Sequence, residues 1–361
     1  MNKLLKSSFL LALVLFCATE LVMRIFFSGS MDGRFEYGYS PTSGFVEGAD
    51  GMVRLVSAGG RKFRPQKFTK VPSPDTFRIM VIGDSVSRGP SLEAAYPWLV
   101  KEQMCAQGIK TECFNLGLPG YGCNRKEVVL RKALDYSPDL VILHINKNNE
   151  FEDEREFKRS QDFKGWHPKN WIMKSFLVRR LYEAQTEKIF WKWLPAVIRN
   201  QKAVNDMGDK SAVSQNGEKQ REWAERVKKY AAESASLAKA RNVPLLFIVQ
   251  SYECKAGPGK YRLDDKGVEG LVRPLEGPGV YVLSMKEAFE PFLPAGLYNA
   301  DGTHLKPEGH KRIAEAIVRF IKHAERHAIM CSSVPLTNVR STPIAHLNNC
   351  FSSSTGWSPG L

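Results

Sequence analysis

A short apolar run that stops abruptly in Gly-Asp-Ser constrains this chain more than any other feature. Phe77 to Ile82 is apolar apart from Arg78 and reads as a strand largely buried on both faces. Gly83 permits a sharp turn, and Ser85 then falls just past the strand's carboxyl end. Open α/β sheets form their ligand crevice there. A serine at such a place is a nucleophile if a base reaches it. The stretch from Ile79 to Gly89 is equally compatible with a plain strand-to-helix turn in which Asp84 or Ser85 caps the next helix.

The far end of the chain supplies the base. Asn299-Ala300-Asp301-Gly302-Thr303-His304-Leu305 precedes Pro307-Glu308-Gly309-His310. Asp301 and His304 are three residues apart on a loop just before a helix, so a carboxylate and an imidazole can converge within one turn. The carboxylate can fix the imidazole tautomer and stabilise the imidazolium formed when His304 takes the serine proton.

Gly83-Asp84-Ser85-x-Ser87 early and Asp301-x-x-His304 late resemble the first and last signature blocks of the SGNH (GDSL-type) hydrolases, in particular their exported, membrane-anchored branch. Two middle blocks are then expected. Asn115-Leu116-Gly117-Leu118-Pro119-Gly120-Tyr121-Gly122 follows a short strand, Thr111 to Phe114, and resembles the glycine block. The resemblance implies that a backbone N–H there contributes to the oxyanion hole, with Gly120 the first choice and Gly117 the alternative. The chemistry needs a donor aimed at the developing oxyanion with no side chain in the way. Pro138 to Ile145 reads as another buried strand, and Asn146-Lys147-Asn148-Asn149-Glu150 resembles the Gly-x-Asn-Asp block. Lys147 stands for the glycine of that alignment and Glu150 for the aspartate. Asn149, followed directly by an acid, aligns as the side-chain donor, with Asn148 the alternative. The implied oxyanion hole is the N–H of Ser85, the N–H of Gly120 and the amide of Asn149.

Strands and helices alternate through this region. Helices are expected from Pro97 to Gln107, Arg125 to Leu134, about Glu222 to Ala240 and Pro307 to His323, with further strands at Leu245 to Val249 and Val280 to Leu283. The alternation predicts a three-layer α/β/α domain with a parallel sheet. The resemblance implies a flavodoxin-like order of five strands. The organisation expected is an anchor at 1–27, a lead-in arm at 28–76, a hydrolase domain at 77–326 with an insertion at 151–218, and a loosely attached tail at 327–361.

Lys3 and Lys6 precede an uncharged run from Ser7 to Thr19, and apolar character continues past Glu20 and Arg24 to Phe27. The segment through Phe27 is long enough to span a bilayer, and an uncleaved anchor is favoured over a signal cleaved near Ser28-Gly29-Ser30. Residues 7–27 would then contact the membrane, and the positive-inside rule would export the catalytic domain, to the periplasmic face if the source is bacterial. Glu20 and Arg24 are spaced to pair on one helix face. Cys105, Cys113, Cys123, Cys254, Cys331 and Cys350 lie beyond this segment, an even number suited to disulfides, and Cys105 and Cys113 are placed to meet. No His/Cys cluster has zinc spacing, so neither a metal nor a cofactor is expected.

The net charge of +14 suggests an acidic partner, and no nucleic-acid motif accompanies it. The insertion is strongly basic: Lys158, Arg159, Lys164, Lys169, Lys174, Arg179, Arg180, Lys188 and Lys192 interleave with Trp166, Trp171, Trp191 and Trp193. That mixture suits acidic sugars or a membrane interface, and equally a helical pair that packs its tryptophans inward. The expectation for function is an exported serine esterase that hydrolyses or transfers short acyl groups, foremost O-acetyl esters on carbohydrate. A lipid esterase at the membrane surface and a non-catalytic carbohydrate-binding protein are the alternatives.

Overall fold

The computed structural model describes residues 2–27, 44–55, 57–58, 61–154, 175, 177, 217–257, 260–289 and 296–331. A five-stranded parallel sheet organises it. Its strands are β6 (Phe77–Gly83), β7 (Thr111–Gly117), β8 (Leu140–Ile145), β9 (Leu245–Val249) and β12 (Val280–Ser284), in the spatial order β12-β9-β8-β6-β7. In sequence rank that is 2-1-3-4-5 read from the β7 edge, the flavodoxin-like order that the resemblance implied. The order reverses between β6 and β8, so a crevice opens at the carboxyl end of β6.

The central strands are buried on both faces because their residues alternate between two cores. Met80 and Ile82 of β6 join one hydrophobic cluster, and Ile79 and Val81 join the other. Helices α4 (Cys123–Ala133), α5 (Gly217–Ala240) and α6 (Val268–Val272) contribute to the first. Helices α3 (Tyr96–Cys105), α7 (Met285–Phe289) and α8 (Pro307–Cys331) contribute to the second. Each fully buried aliphatic side chain here stabilises the fold by about 1.5–3 kcal/mol. Pro97 lies in the first turn of α3, where its missing N–H costs no helical hydrogen bond. Helix α8 runs eight residues beyond the expected His323, into the stretch expected to be tail. Residues 332–361 lie outside the described residues.

The lead-in arm packs on the domain. Strands β1 (Phe45–Glu47), β2 (Met52–Leu55) and β5 (Lys67–Thr69) form a small antiparallel sheet, with a two-stranded ribbon of β3 (Ser57–Ala58) and β4 (Arg61–Lys62) between them in the chain. Phe45, Val53, Leu55, Phe63 and Phe68 enter the main core. The arm also explains Arg78, the one charge in β6. Its fully buried guanidinium lies over the rings of Phe68 and Phe114 and bonds Glu112 and the Tyr136 carbonyl. Residues 28–43 of the expected arm lie outside the described residues. A hairpin not foreseen from the sequence, β10 (Tyr252–Gly257) and β11 (Lys260–Asp264), follows β9.

Helix α1 (Asn2–Phe27) carries exposed apolar side chains such as Phe9, Leu10, Leu15 and Leu21. Among the described residues no helix is long and apolar enough to cross a membrane. The Glu20 carboxylate accepts hydrogen bonds from the Ser175 hydroxyl and the Leu177 N–H, while the Arg24 side chain lies outside the described residues. The insertion's basic residues and its four tryptophans also lie outside them. Cys17, Cys105, Cys113, Cys123 and Cys254 are free thiols, so the expected meeting of Cys105 and Cys113 does not occur. Cys113 is buried in the second core, whereas the Cys105 sulfur is directed at the Thr111 carbonyl.

Candidate active site

Strand β6 ends at Gly83, where a side chain has no room: a Cβ would lie 2.2 Å from Ser87 Oγ and 2.9 Å from the Cβ of His144. The chain turns into the single-turn helix α2 (Ser85–Arg88). Asp84 caps it, its Oδ1 accepting from the Val86 N–H at 2.8 Å. The capping role and the nucleophile placement are therefore both present, divided between neighbouring residues. Ser85 at the first helical position presents its Oγ to the crevice.

The loop before α8 brings the base to it. His304 Nε2 lies 2.9 Å from Ser85 Oγ, and His304 Nδ1 lies 2.6 Å from Asp301 Oδ2. Asp301 Oδ1 accepts from the N–H groups of Thr303 and His304, both at 2.9 Å. Partial burial acts to raise the Asp301 carboxyl, but the N–H and ring of His304 and the Thr303 N–H outweigh it and hold it below the ordinary range. Asp301 thus stays an acceptor, which directs the proton to His304 Nδ1 and leaves Nε2 as the base facing the serine.

The candidate oxyanion donors separate by what they already bond. The Gly117 N–H donates to Asn115 Oδ1 at 3.0 Å, so this alternative is occupied. The Gly120 N–H has no partner among the described residues, and φ of +74° at this position suits a glycine. The Gly120 carbonyl is held instead, by the guanidinium of Arg125. Asn149, the first choice, lies beside Asp84, next to the nucleophile. Its amide donates to Asp84 Oδ2 at 3.1 Å and to the Tyr121 carbonyl at 3.2 Å, so both amide hydrogens are spent. Asn148 has its Oδ1 bonded by Lys266 Nζ at 2.9 Å, and its amide nitrogen has no partner among the described residues. Among the described residues the donors left without a partner are therefore the N–H groups of Ser85 and Gly120 and the amide of Asn148.

A buried polar layer supports these groups from below. Asp84 Oδ2 also accepts from Asn146 and from Lys126 Nζ, the latter at 3.3 Å, with Asp84 and Lys126 both buried. Burial opposes the Asp84 charge, and Lys126 foremost restores it, so the carboxyl sits below its ordinary range. The glycine loop is pinned by two carboxylates, one at the end of the third block and one three residues beyond it. Glu150 Oε1 accepts from the Cys123 N–H at 2.7 Å and Asp153 Oδ1 from the Gly122 N–H at 2.9 Å. A Cβ at Gly122 would meet both carboxylates within 2.8 Å. Asp153 also pairs with buried Arg125, whose guanidinium lies over the Tyr121 ring at 4.3 Å. Sequence reasoning missed Lys126, Arg125 and Asp153. On an exposed helix face these types are ordinary, and only the helix periodicity of Arg125 to Leu134 placed against the sheet would have turned them inward. On the opposite face of the sheet, Tyr96 Oη is 3.2 Å from buried His144 Nδ1.

A cleft of about 270 Å³ opens beside Ser85, lined among others by Arg88, Pro119, Asn299, His304 and His310. Among the described residues no cluster of His, Cys, Asp and Glu is arranged to hold a metal ion.

No family model matches the chain, and no curated protein matches it in sequence. Solved structures do resemble it at low identity. A family 3 carbohydrate esterase from Clostridium thermocellum aligns with a TM-score of 0.38 and 13% identity, over 68% of this chain and 98% of its own. An acetylxylan esterase from Geobacillus stearothermophilus aligns with a TM-score of 0.40 and 15% identity, over 69% of this chain and 95% of its own. A GDSL-like lipase from Bacteroides thetaiotaomicron aligns with a TM-score of 0.35 and 13% identity, over 68% and 88%. The chemistry is read below from the site's own atoms.

Proposed function

We propose that the protein is a serine esterase that cleaves or transfers short acyl groups, with O-acetyl esters on carbohydrate as the preferred substrate class. The continuous chain from Ser85 Oγ through His304 Nε2 and Nδ1 to Asp301, at 2.9 and 2.6 Å, is the observation that carries this reading. Ser85 Oγ attacks the ester carbonyl as His304 Nε2 takes its proton. Asp301 holds the Nδ1–H and stabilises the imidazolium. In this reading the tetrahedral oxyanion is bound by the N–H groups of Ser85 and Gly120, with Asn148, whose amide has no partner among the described residues, preferred as the side-chain donor to Asn149, whose amide hydrogens are both bonded. His304 then gives the proton to the leaving alcohol. Water, or the hydroxyl of an acceptor saccharide, attacks the acyl-enzyme by the same steps in reverse.

The export and membrane attachment expected from Lys3, Lys6 and the apolar run of α1 belong to this proposal and would place the site outside the cytoplasm. The full-length chain should release p-nitrophenol from p-nitrophenyl acetate faster than from long-chain esters, and Ser85→Ala and His304→Ala should abolish that activity. Full activity in Ser85→Ala would exclude Ser85 as the nucleophile, and a long-chain preference would move the substrate to lipid esters.

A further inference from the structure

One cation in the cleft has no task in the chemistry above. Arg88, three residues after the nucleophile, lines the cleft beside Ser85 and His304. Its side chain makes no hydrogen bond or ion pair among the described residues, and its Nε is shut away from solvent without a partner. A half-buried guanidinium left this way forgoes hydration that a protein partner would normally replace. The nearest charge acting on it is another cation. Arg64 reaches from the lead-in arm and donates to the carbonyls of Gly89 and Pro90 at 2.7 and 2.6 Å, the two residues that follow Arg88. Burial and then the Arg64 charge push the Arg88 guanidinium below its ordinary value, and no carboxylate contributes. The arm thus adds positive charge beside Arg88 where a neutralising acid would be expected.

The position of the pair indicates which side of the ester it faces. The cleft is bounded by His304, Leu305 and His310, and neither Tyr121 nor Asn148 lines it. His304 protonates the leaving alcohol, so the alcohol part lies on this side of Ser85. An arginine fork recognises carboxylate and phosphate through paired hydrogen bonds, and such charge-assisted bonds are stronger than neutral ones. We infer that Arg88, supported by Arg64, forms an oxyanion-binding subsite, and that the ester cleaved here carries a carboxylate or phosphate on its alcohol part. This rests on the reading of Ser85 as nucleophile and narrows its substrate to anionic short-acyl esters.

The test compares meta-acetoxybenzoate with the neutral meta-acetoxybenzamide on the full-length chain, with meta-acetoxyphenyl phosphate as a third ester. The readout is the ratio of kcat/KM for charged over neutral ester, so any general loss of activity or of folded protein cancels. The wild-type ratio should be about tenfold or more and should fall with added salt. Arg88→Met should bring it to about one, with Arg88→Lys in between. Whichever of carboxylate and phosphate gives the larger ratio identifies the anion. A wild-type ratio near one, or a ratio unchanged in Arg88→Met, overturns the subsite while leaving a Ser85-dependent esterase intact. Binding of meta-acetoxybenzoate to Ser85→Ala, followed by calorimetry, reads the subsite without turnover. Arg88-dependent binding without Ser85-dependent hydrolysis would keep the subsite and reject the esterase.

Discussion

The proposed base and its carboxylate, His304 and Asp301, and the polar layer beneath them treat charge in opposite ways. His304 and Asp301 stand on a loop with 44% and 49% of their side chains exposed. Asp84 and Lys126, one layer lower, are buried to within 1%, and Asn146 is buried beside them. In the proposed mechanism His304 takes the serine proton and passes it to the leaving alcohol. Asp84 and Lys126 below are held as a buried pair. Burial makes their charges costly unless paired, so each pair locks the next. The comparison separates residues whose loss costs rate from residues whose loss costs the fold.

The largest effect should come from the upper layer. His304→Ala should lower kcat for p-nitrophenyl acetate by roughly 10⁴- to 10⁶-fold, while the denaturation midpoint stays that of wild type. Lys126→Met should do the reverse. It strands Asp84 as a buried unpaired charge and should cost about 3–5 kcal/mol in urea unfolding. A Lys126→Met protein as stable as wild type would break the distinction between the layers.

The two neighbouring asparagines place the boundary between layers at one peptide bond. Asn148→Ala should reduce kcat on the order of 10² to 10³ with little change in stability. Asn149→Ala should lose about 1–3 kcal/mol of stability by leaving the Tyr121 carbonyl and Asp84 short of a donor. The opposite pattern would return the oxyanion role to Asn149.

The smallest effect lies within the buried groups themselves, which titrate in opposing directions. Burial lowers His144 to about 4, and burial with the His304 charge lowers His310 to about 4. The unfolded chain therefore binds more protons than the fold between pH 6.5 and 4, and their contribution to stability is lost as pH falls through that window. Burial and then Asp153 raise Glu150 to about 7. Its contribution is full below about 4.5 and is lost as pH rises through 7. The wild-type curve of Tm against pH should therefore be flattened by cancellation. His144→Gln should make the loss on acidification shallower and Glu150→Gln should make it steeper. Three parallel curves would mean that neither group titrates in the fold as described.

Much of this architecture was readable from the residues. Strand β6 announced itself because an apolar run ending in Gly83 has few other folded forms, and Asp301-x-x-His304 places two functional groups by local spacing alone. The choice between Asn148 and Asn149 was not readable. It depends on which way each side chain leaves the end of β8, and Lys266 of the loop after β11 decides that from more than a hundred residues away. Lys126 and Arg125 were hidden for a related reason: a cation is read as solvated until its buried partner is seen. The β10–β11 hairpin did leave a signal in the residues: Tyr252 to Ala256 and Lys260 to Asp264 both alternate apolar and polar residues, the period of a half-exposed strand.

Labelling with a fluorophosphonate tests the central claim most directly, because it reports nucleophile activation without knowledge of the substrate. The folded chain, labelled and digested for mass spectrometry, should carry one adduct, on Ser85. That adduct should be absent from Ser85→Ala and formed far more slowly in His304→Ala. Folded protein without an adduct at Ser85, or labelled there equally fast without His304, would contradict the account.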